Sequence, residues 1–129
     1  MRGVVFGGAL SLALFAAGAA SAQPNVAGTW HVSGKIFYGN LFSQATPTCH
    51  FVQNGSQLGG TCIGPNARGP IEGTVSGNSI TWTWSHHATD VVGATGITGF
   101  EGSFVNPRLI KGWMTSTGTP GRGRFTQSR

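Results

Sequence analysis

The chain has 129 residues and a formal net charge of +5, with eight Lys and Arg against only three Asp and Glu. So few acids argue against an enzyme, because hydrolytic sites usually need paired carboxylates or a nucleophile–His–acid set. No Gly-x-Ser-x-Gly elbow, phosphate-binding loop or His-Glu-x-x-His motif is present, and we expect neither catalysis nor a cofactor.

The first 22 residues are typical of a secretory signal peptide. Arg2 precedes an apolar stretch from Val4 to Ala20, and an Ala-Ser-Ala cleavage site follows. The stretch is short and rich in Gly and Ala, which disfavours the alternative, a transmembrane anchor. We therefore expect residues 23–129 to form one secreted or periplasmic domain that does not span a membrane after cleavage.

The pattern of residues 23–129 is all-β. Short alternating runs are separated by turn-forming pairs such as Gly-Asn and Asn-Pro, and no helical period is sustained. Eight strands are predicted, at residues 27–37, 46–54, 57–63, 70–76, 79–86, 96–105, 109–117 and 121–128. Consecutive strands with short links favour a small closed antiparallel up-and-down β-barrel, with a β-sandwich as the alternative.

The only two cysteines, Cys49 and Cys62, flank a predicted two-residue turn at Gly55-Ser56. This turn pairs the cysteines at a non-hydrogen-bonded position, where Cα atoms approach to about 4.5 Å. Zinc would need four ligands, and the neighbouring His50 points to the opposite face. A redox pair would favour Cys-x-x-Cys. We therefore predict a cross-strand disulfide.

Two further turns set the expected register of the later strands. Gly77-Asn78 places Trp82 opposite Gly73 and separates apolar from polar faces. A type I turn with Pro107 at its second position would place Trp113 opposite a glycine in the same way. The residues expected to face the barrel interior are Trp30, Val32, Ile36, Phe51, Trp82, Trp84, Phe100 and Trp113.

The connections predict two unequal barrel ends. Alternate connections of a meander lie at the same end, so the tight turns gather at one end. The longer segments 38–45, 64–69 and 87–95 gather at the other, which is where a site is expected. Residues placed at this loop end are Tyr38, Asn40, Leu41, Phe42, Arg68, His87 and Asp90.

The aromatic content predicts binding of a small apolar or aromatic ligand near the loop end. The candidate ligand-binding residues are Trp30, Tyr38, Phe42, Trp82, Trp84 and Trp113. An eight-stranded barrel holds one small ligand or is filled by its own side chains. The alternative is therefore a filled, disulfide-stapled structural or interaction module without a small ligand. No metal is expected, because the adjacent His86 and His87 point to opposite faces of their strand.

Five of the eight basic residues lie at or after position 108. A basic face built from Arg108, Lys111, Arg122 and Arg124 predicts contact with an anionic surface, such as lipid headgroups or acidic polysaccharide. Nucleic acid is not expected as a partner of an exported protein.

Three segments resemble the calycin group of small barrels, which includes lipocalins and avidins. Residues 28–30 (GTW) open the first strand, and residues 81–84 (TWTW) and 112–119 (GWMTSTGT) are similar to Trp-bearing strands of avidins. The resemblance implies an eight-stranded barrel with an aromatic interior.

The polar residues with which avidins hold biotin do not carry over. Avidins place an Asn soon after the first Trp, where this chain has His31 and Val32. They also use a late Asp and a further Trp, whereas no acid follows Glu101 and no Trp follows Trp113. The departures predict that tight biotin binding is lost.

Overall fold

In the computed structural model of the protein, residues 23–89 and 94–129 are described. The predicted signal peptide and Asp90 lie outside these residues. The described part consists of nine β-strands: β1 (Gly28–Tyr38), β2 (Leu41–Ala45), β3 (Thr48–Asn54), β4 (Gln57–Ile63), β5 (Ala67–Ser76), β6 (Ser79–Ala88), β7 (Thr95–Asn106), β8 (Leu109–Ser116) and β9 (Thr119–Ser128). Within residues 23–89 and 94–129, no helix is long and apolar enough to cross a bilayer.

The strands close into a barrel. Consecutive strands from β3 to β9 pair antiparallel, and β1 joins the two ends of this series by pairing with β3 and with β9. The short β2 also pairs with β1, beyond the part that contacts β3. The prediction of a closed eight-stranded barrel is confirmed, with β2 as an extra strand, and the sandwich alternative is wrong.

The extra strand replaces most of the loop predicted at residues 38–45. β1 extends to Tyr38, and a two-residue turn at Gly39-Asn40 leads directly into β2. Gly39 has a φ of 68°, which a residue without Cβ adopts at little cost. The first connection is therefore a tight β-hairpin instead of a long loop.

The register of the central hairpins is as predicted. Cys49 pairs with Cys62 across β3 and β4, and Trp82 pairs with Gly73 across β6 and β5. Both turns are the predicted two-residue turns. Because two-residue hairpins allow little variation in pairing, the turn residues determined these registers correctly.

The register predicted for Trp113 is wrong by one residue. The turn at Pro107-Arg108 is present, but the pairing shifts between Phe104 and Asn106, as in a β-bulge. Trp113 consequently pairs with Glu101. An odd slip moves a side chain to the other face of the sheet, so Trp113 lies outside the barrel.

A stack of aromatic rings fills the middle of the barrel. The Trp82 indole lies parallel to the Phe100 ring at 3.9 Å between centroids and meets the edge of Phe51 at 5.1 Å. Phe125 packs edge-on against Phe100 at 5.0 Å. Trp82 also donates its Nε1–H to Oε1 of the buried Gln127 at 3.2 Å. The aromatic interior is thus largely occupied by the protein's own side chains.

The barrel seam is the place where β1 pairs with β9. Residues on either side of this seam close the barrel end that carries the tight turns. Trp30 donates its Nε1–H to the carbonyl oxygen of Val26 at 2.8 Å, and both side chains are fully buried. The guanidinium of Arg129 lies 4.1 Å from the centroid of the Trp30 ring. It donates to the carbonyl oxygens of Asn25 at 2.7 Å and Ala27 at 3.1 Å. These contacts fasten the segment before β1 across the barrel end.

Cys49 and Cys62 form the predicted disulfide, with 4.0 Å between their Cα atoms, and both are fully buried. They are 13 residues apart in sequence. Replacing both with alanine is expected to lower the free energy of unfolding by about 2–3 kcal/mol, because the unfolded chain regains loop entropy. Urea denaturation of both proteins measures the difference. Two thiols titratable in the native protein would contradict the bond.

Candidate functional site

The described residues leave a cavity of about 270 Å³ at the loop end of the barrel. It lies above the aromatic stack, between the ends of β2, β6, β7 and β8 and the connection that follows β4. Its lining residues are Ser43, Gln44, Ala45, Thr46, Gly64, Pro65, Asn66, Ala67, Trp84, His86, Thr98, Met114 and Ser116. Drug-sized pockets occupy about 300–1,000 Å³, so this cavity suits a smaller molecule.

The apolar part of the lining comes from Trp84 and Met114, together with smaller residues at strand ends and in the connection after β4. Trp84 is 4% exposed and Met114 is 3% exposed, so both are held firmly by the core beneath them. Trp84 follows Trp82 by two residues and therefore lies on the same inner face of β6. The alternation of β6 thus places one indole in the core and the next against the cavity.

A polar chain spans three neighbouring strands in the cavity lining. The ring nitrogen Nε2 of His86 lies 2.9 Å from Oγ1 of Thr98, which lies 3.2 Å from Oγ of Ser116. All three side chains line the cavity. Each hydroxyl can donate one hydrogen bond and accept others, so the chain can present either a donor or an acceptor to a ligand.

The environment of His86 favours its neutral imidazole. Desolvation by burial, followed by the charge of His87, lowers the pKa of His86 below its ordinary value of 6.5. The ring also lies 4.6 Å from the Trp84 ring. His86 is therefore mainly uncharged at pH 7, with one nitrogen able to accept a hydrogen bond and the other to donate one.

The indole nitrogen of Trp84 is buried and has no hydrogen-bond partner among the described residues. This distinguishes it from Trp30 and Trp82, whose Nε1–H groups both donate to protein oxygens. A buried donor without an acceptor costs about 1–3 kcal/mol. Trp84 also contributes to the cavity lining, so the unpartnered donor belongs to a side chain that a bound molecule would contact.

The six predicted ligand-binding residues do not lie together. Trp84 lines the cavity, whereas Trp30 and Trp82 are packed in the core. Tyr38 is half-buried at the end of β1, and Phe42 is 51% exposed on β2. Trp113 is half-buried on the outer face of β8, so the expectation that it faces the interior is wrong.

Sequence reasoning missed the polar residues of the cavity. From the sequence, His86 is a candidate for a metal or acid–base site with His87 and Asp90, and neither Thr98 nor Ser116 stands out. His86 lies two residues after the inward Trp84, and Thr98 lies two residues before the inward Phe100. Strand alternation therefore indicates that both face the interior. Nothing in the sequence shows that β6, β7 and β8 place these three groups within hydrogen-bonding distance.

Among residues 23–89 and 94–129, no group of three His, Cys, Asp or Glu side chains is close enough to hold a metal ion. His86 is half-buried, whereas the adjacent His87 is exposed, as expected for neighbours on a strand. The cavity lining combines hydrogen-bonding side chains with the apolar side chains of Trp84 and Met114.

The four basic residues predicted to form one face divide between two places. Arg122, Arg124 and Lys111 lie on the outer surface of β8 and β9. Arg108 lies in the turn between β7 and β8, at the opposite barrel end from the cavity. Arg108 therefore lies at the tight-turn end, three residues before Lys111, and contact of these residues with an anionic surface stays a prediction.

Neither a comparison with protein-family models nor a search of curated proteins finds a match to the chain.

Proposed function

We propose that the protein binds a small, partly apolar molecule carrying an acceptor oxygen in the cavity at the loop end. The observation that carries this proposal is the buried, unpartnered Nε1–H of Trp84, a residue whose side chain contributes to the cavity lining. Buried polar groups in folded proteins nearly always have a partner, and an exception calls for an explanation. A bound carbonyl or hydroxyl oxygen would provide the partner.

The composition of the lining supports the same class of ligand. Trp84 and Met114 provide dispersion contacts for an apolar body, and the His86–Thr98–Ser116 chain provides hydrogen bonds for a second polar group. Neutral His86 favours an uncharged ligand over an anion, because none of the described residues that line the cavity carries a fixed positive charge.

The proposal includes export to an oxidising compartment. The Cys49–Cys62 disulfide is compatible with such a location, since thiols in the cytosol are kept reduced. The predicted signal peptide supports the same conclusion. In that setting a small stapled barrel can act as a carrier or receptor for a metabolite.

The indole N–H signals in a nitrogen–proton correlation spectrum provide a direct test. Acetophenone and ethylbenzene are matched probes, because only the former carries an acceptor oxygen. We expect acetophenone to move the Trp84 signal and to bind at least about threefold more tightly than ethylbenzene. The signals of Trp30 and Trp82 should move little, since their N–H groups already have partners.

Trp84→Phe assigns the signal and tests its role. This variant keeps an aromatic floor but removes the N–H, so it should lose the preference for acetophenone. Trp113→Phe on the outer face serves as the matched control and should keep it. If neither probe moves the Trp84 signal, and crystals show an ordered water on Nε1, the proposal is wrong. The filled structural module would then be favoured.

A further inference from the structure

The outer face of β1, β8 and β9 carries four basic side chains in one continuous area, separate from the cavity. Lys35 pairs with Arg124 across β1 and β9, and Arg124 pairs with Trp113 across β9 and β8. Directly opposed residues share a face of the sheet. Arg122 lies two residues before Arg124, and Lys111 lies two residues before Trp113, so both side chains are on this face as well. We call Lys35, Lys111, Arg122 and Arg124 the basic face.

Trp113 holds two of these cations at the surface. The guanidinium of Arg122 lies 4.2 Å and that of Arg124 lies 4.5 Å from the centroid of its ring. Such contacts restrict the arginine side chains while leaving their N–H donors available to an anion. One acidic residue, Glu101, lies opposite Trp113 on the next strand. It offsets one of the four positive charges, so the basic face keeps an excess of positive charge.

An exposed apolar hairpin tip adjoins the basic face. Phe37 is 64% exposed, Leu41 is 60% exposed and Phe42 is 51% exposed. Phe37 lies on the same face of β1 as Lys35, and its ring centroid is 5.9 Å from that of Phe42. The ammonium of Lys35 lies 4.7 Å from the centroid of the Phe42 ring. The hairpin tip is defined as Phe37, Leu41 and Phe42. Phe37 and Phe42 are continuous with the basic face, whereas Leu41 pairs with Tyr38 and is exposed on the other face of the hairpin.

Large apolar side chains placed beside lysine and arginine are typical of proteins that lie at a membrane interface. The rings enter the boundary between headgroups and acyl chains, and the cations contact anionic headgroups. A second copy of this chain is a poorer fit, because a symmetric dimer through this surface would bring like charges together. A soluble polyanion would match the charges but leave the three apolar side chains in water.

We propose that the hairpin tip and the basic face form a peripheral docking surface for a bilayer containing anionic phospholipid. This surface is separate from the ligand cavity, and its function does not depend on that proposal.

Co-sedimentation with lipid vesicles tests the proposal. We expect the protein to bind vesicles of phosphatidylglycerol and phosphatidylethanolamine, to bind vesicles of phosphatidylcholine far less, and to dissociate as salt is added. Arg122→Gln with Arg124→Gln should weaken the binding about thirtyfold. Arg68→Gln with Arg108→Gln removes the same charge elsewhere and should have a much smaller effect.

A second pair of variants tests the hairpin tip. Phe37→Ser with Phe42→Ser should weaken binding by about tenfold or more, because less apolar area enters the interface. Val52→Ser with Ile63→Ser is the control, since both residues are exposed on β3 and β4, at 57% and 53%. Circular dichroism checks that every variant folds.

Three outcomes would overturn the proposal. Two of them are equal binding to anionic and neutral vesicles, and equal losses for the variants and their controls. The other is retention on dextran sulfate without binding to anionic vesicles, which would assign the basic face to an acidic polysaccharide.

Discussion

Replacing Trp82 with alanine is expected to lower the free energy of unfolding by about 3–5 kcal/mol. Trp82 is 1% exposed and contacts Phe100 and Phe51 at the centre of the aromatic stack. Its loss leaves a cavity that the closed barrel cannot collapse to fill, because the neighbouring rings are held by separate strands. Urea unfolding monitored by far-ultraviolet circular dichroism measures the change.

Two further variants separate the causes of this loss. Trp82→Phe keeps a ring in the stack but leaves Oε1 of Gln127 without its donor, which should cost about 1–3 kcal/mol. Trp113→Ala removes the same residue type from the outer face and should cost less than about 1 kcal/mol. Equal costs for Trp82→Ala and Trp113→Ala would contradict the placement of these two residues.

Replacing Gly123 with alanine is expected to cost about 3 kcal/mol or more and to open the barrel between β9 and β1. A Cβ at this position would overlap the backbone carbonyl group of Lys35 on the neighbouring strand. Because the obstacle is backbone, no rotation of a side chain can relieve the contact. The two strands must separate or one of them must bend.

Gly59→Ala is the matched control for this substitution. Gly59 is a strand glycine of β4, and a Cβ added there meets no atom within 4 Å. Alanine at this position should change the free energy of unfolding by less than about 1 kcal/mol. Size-exclusion chromatography and urea denaturation compare the variants. A Gly123→Ala protein as stable and monodisperse as the Gly59→Ala protein would refute the expected steric conflict.

The parts of the fold that the sequence predicted correctly are those controlled by local turns. Gly55-Ser56 and Gly77-Asn78 each fix a hairpin, and the pairing of Cys49 with Cys62 follows from the first turn. The position of Trp113 could not be predicted in this way. A bulge of one residue before Pro107 reverses its face, and the nearby sequence carries no glycine or other signal for the bulge.

The candidate cavity was only partly predictable. Its location at the loop end follows from the alternation of connections, and Trp84 follows from the alternation along β6. Which tryptophans reach a ligand depends on how completely the rings fill the middle of the barrel. That filling is a property of packing among distant strands, and so is the approach of His86, Thr98 and Ser116.

The seam between β1 and β9 has a consequence for how the chain reaches its native state. Strands β3 to β9 pair with sequence neighbours, so these hairpins can form from local encounters. The seam forms only when the two ends of the domain meet. The hydrogen bond between Asn25 and Arg129, which are 104 residues apart, requires the same encounter. Such high contact order slows folding, and closure is expected to be the late step. Until then, β1 and β9 present open edges to neighbouring molecules, so aggregation during refolding should rise with protein concentration.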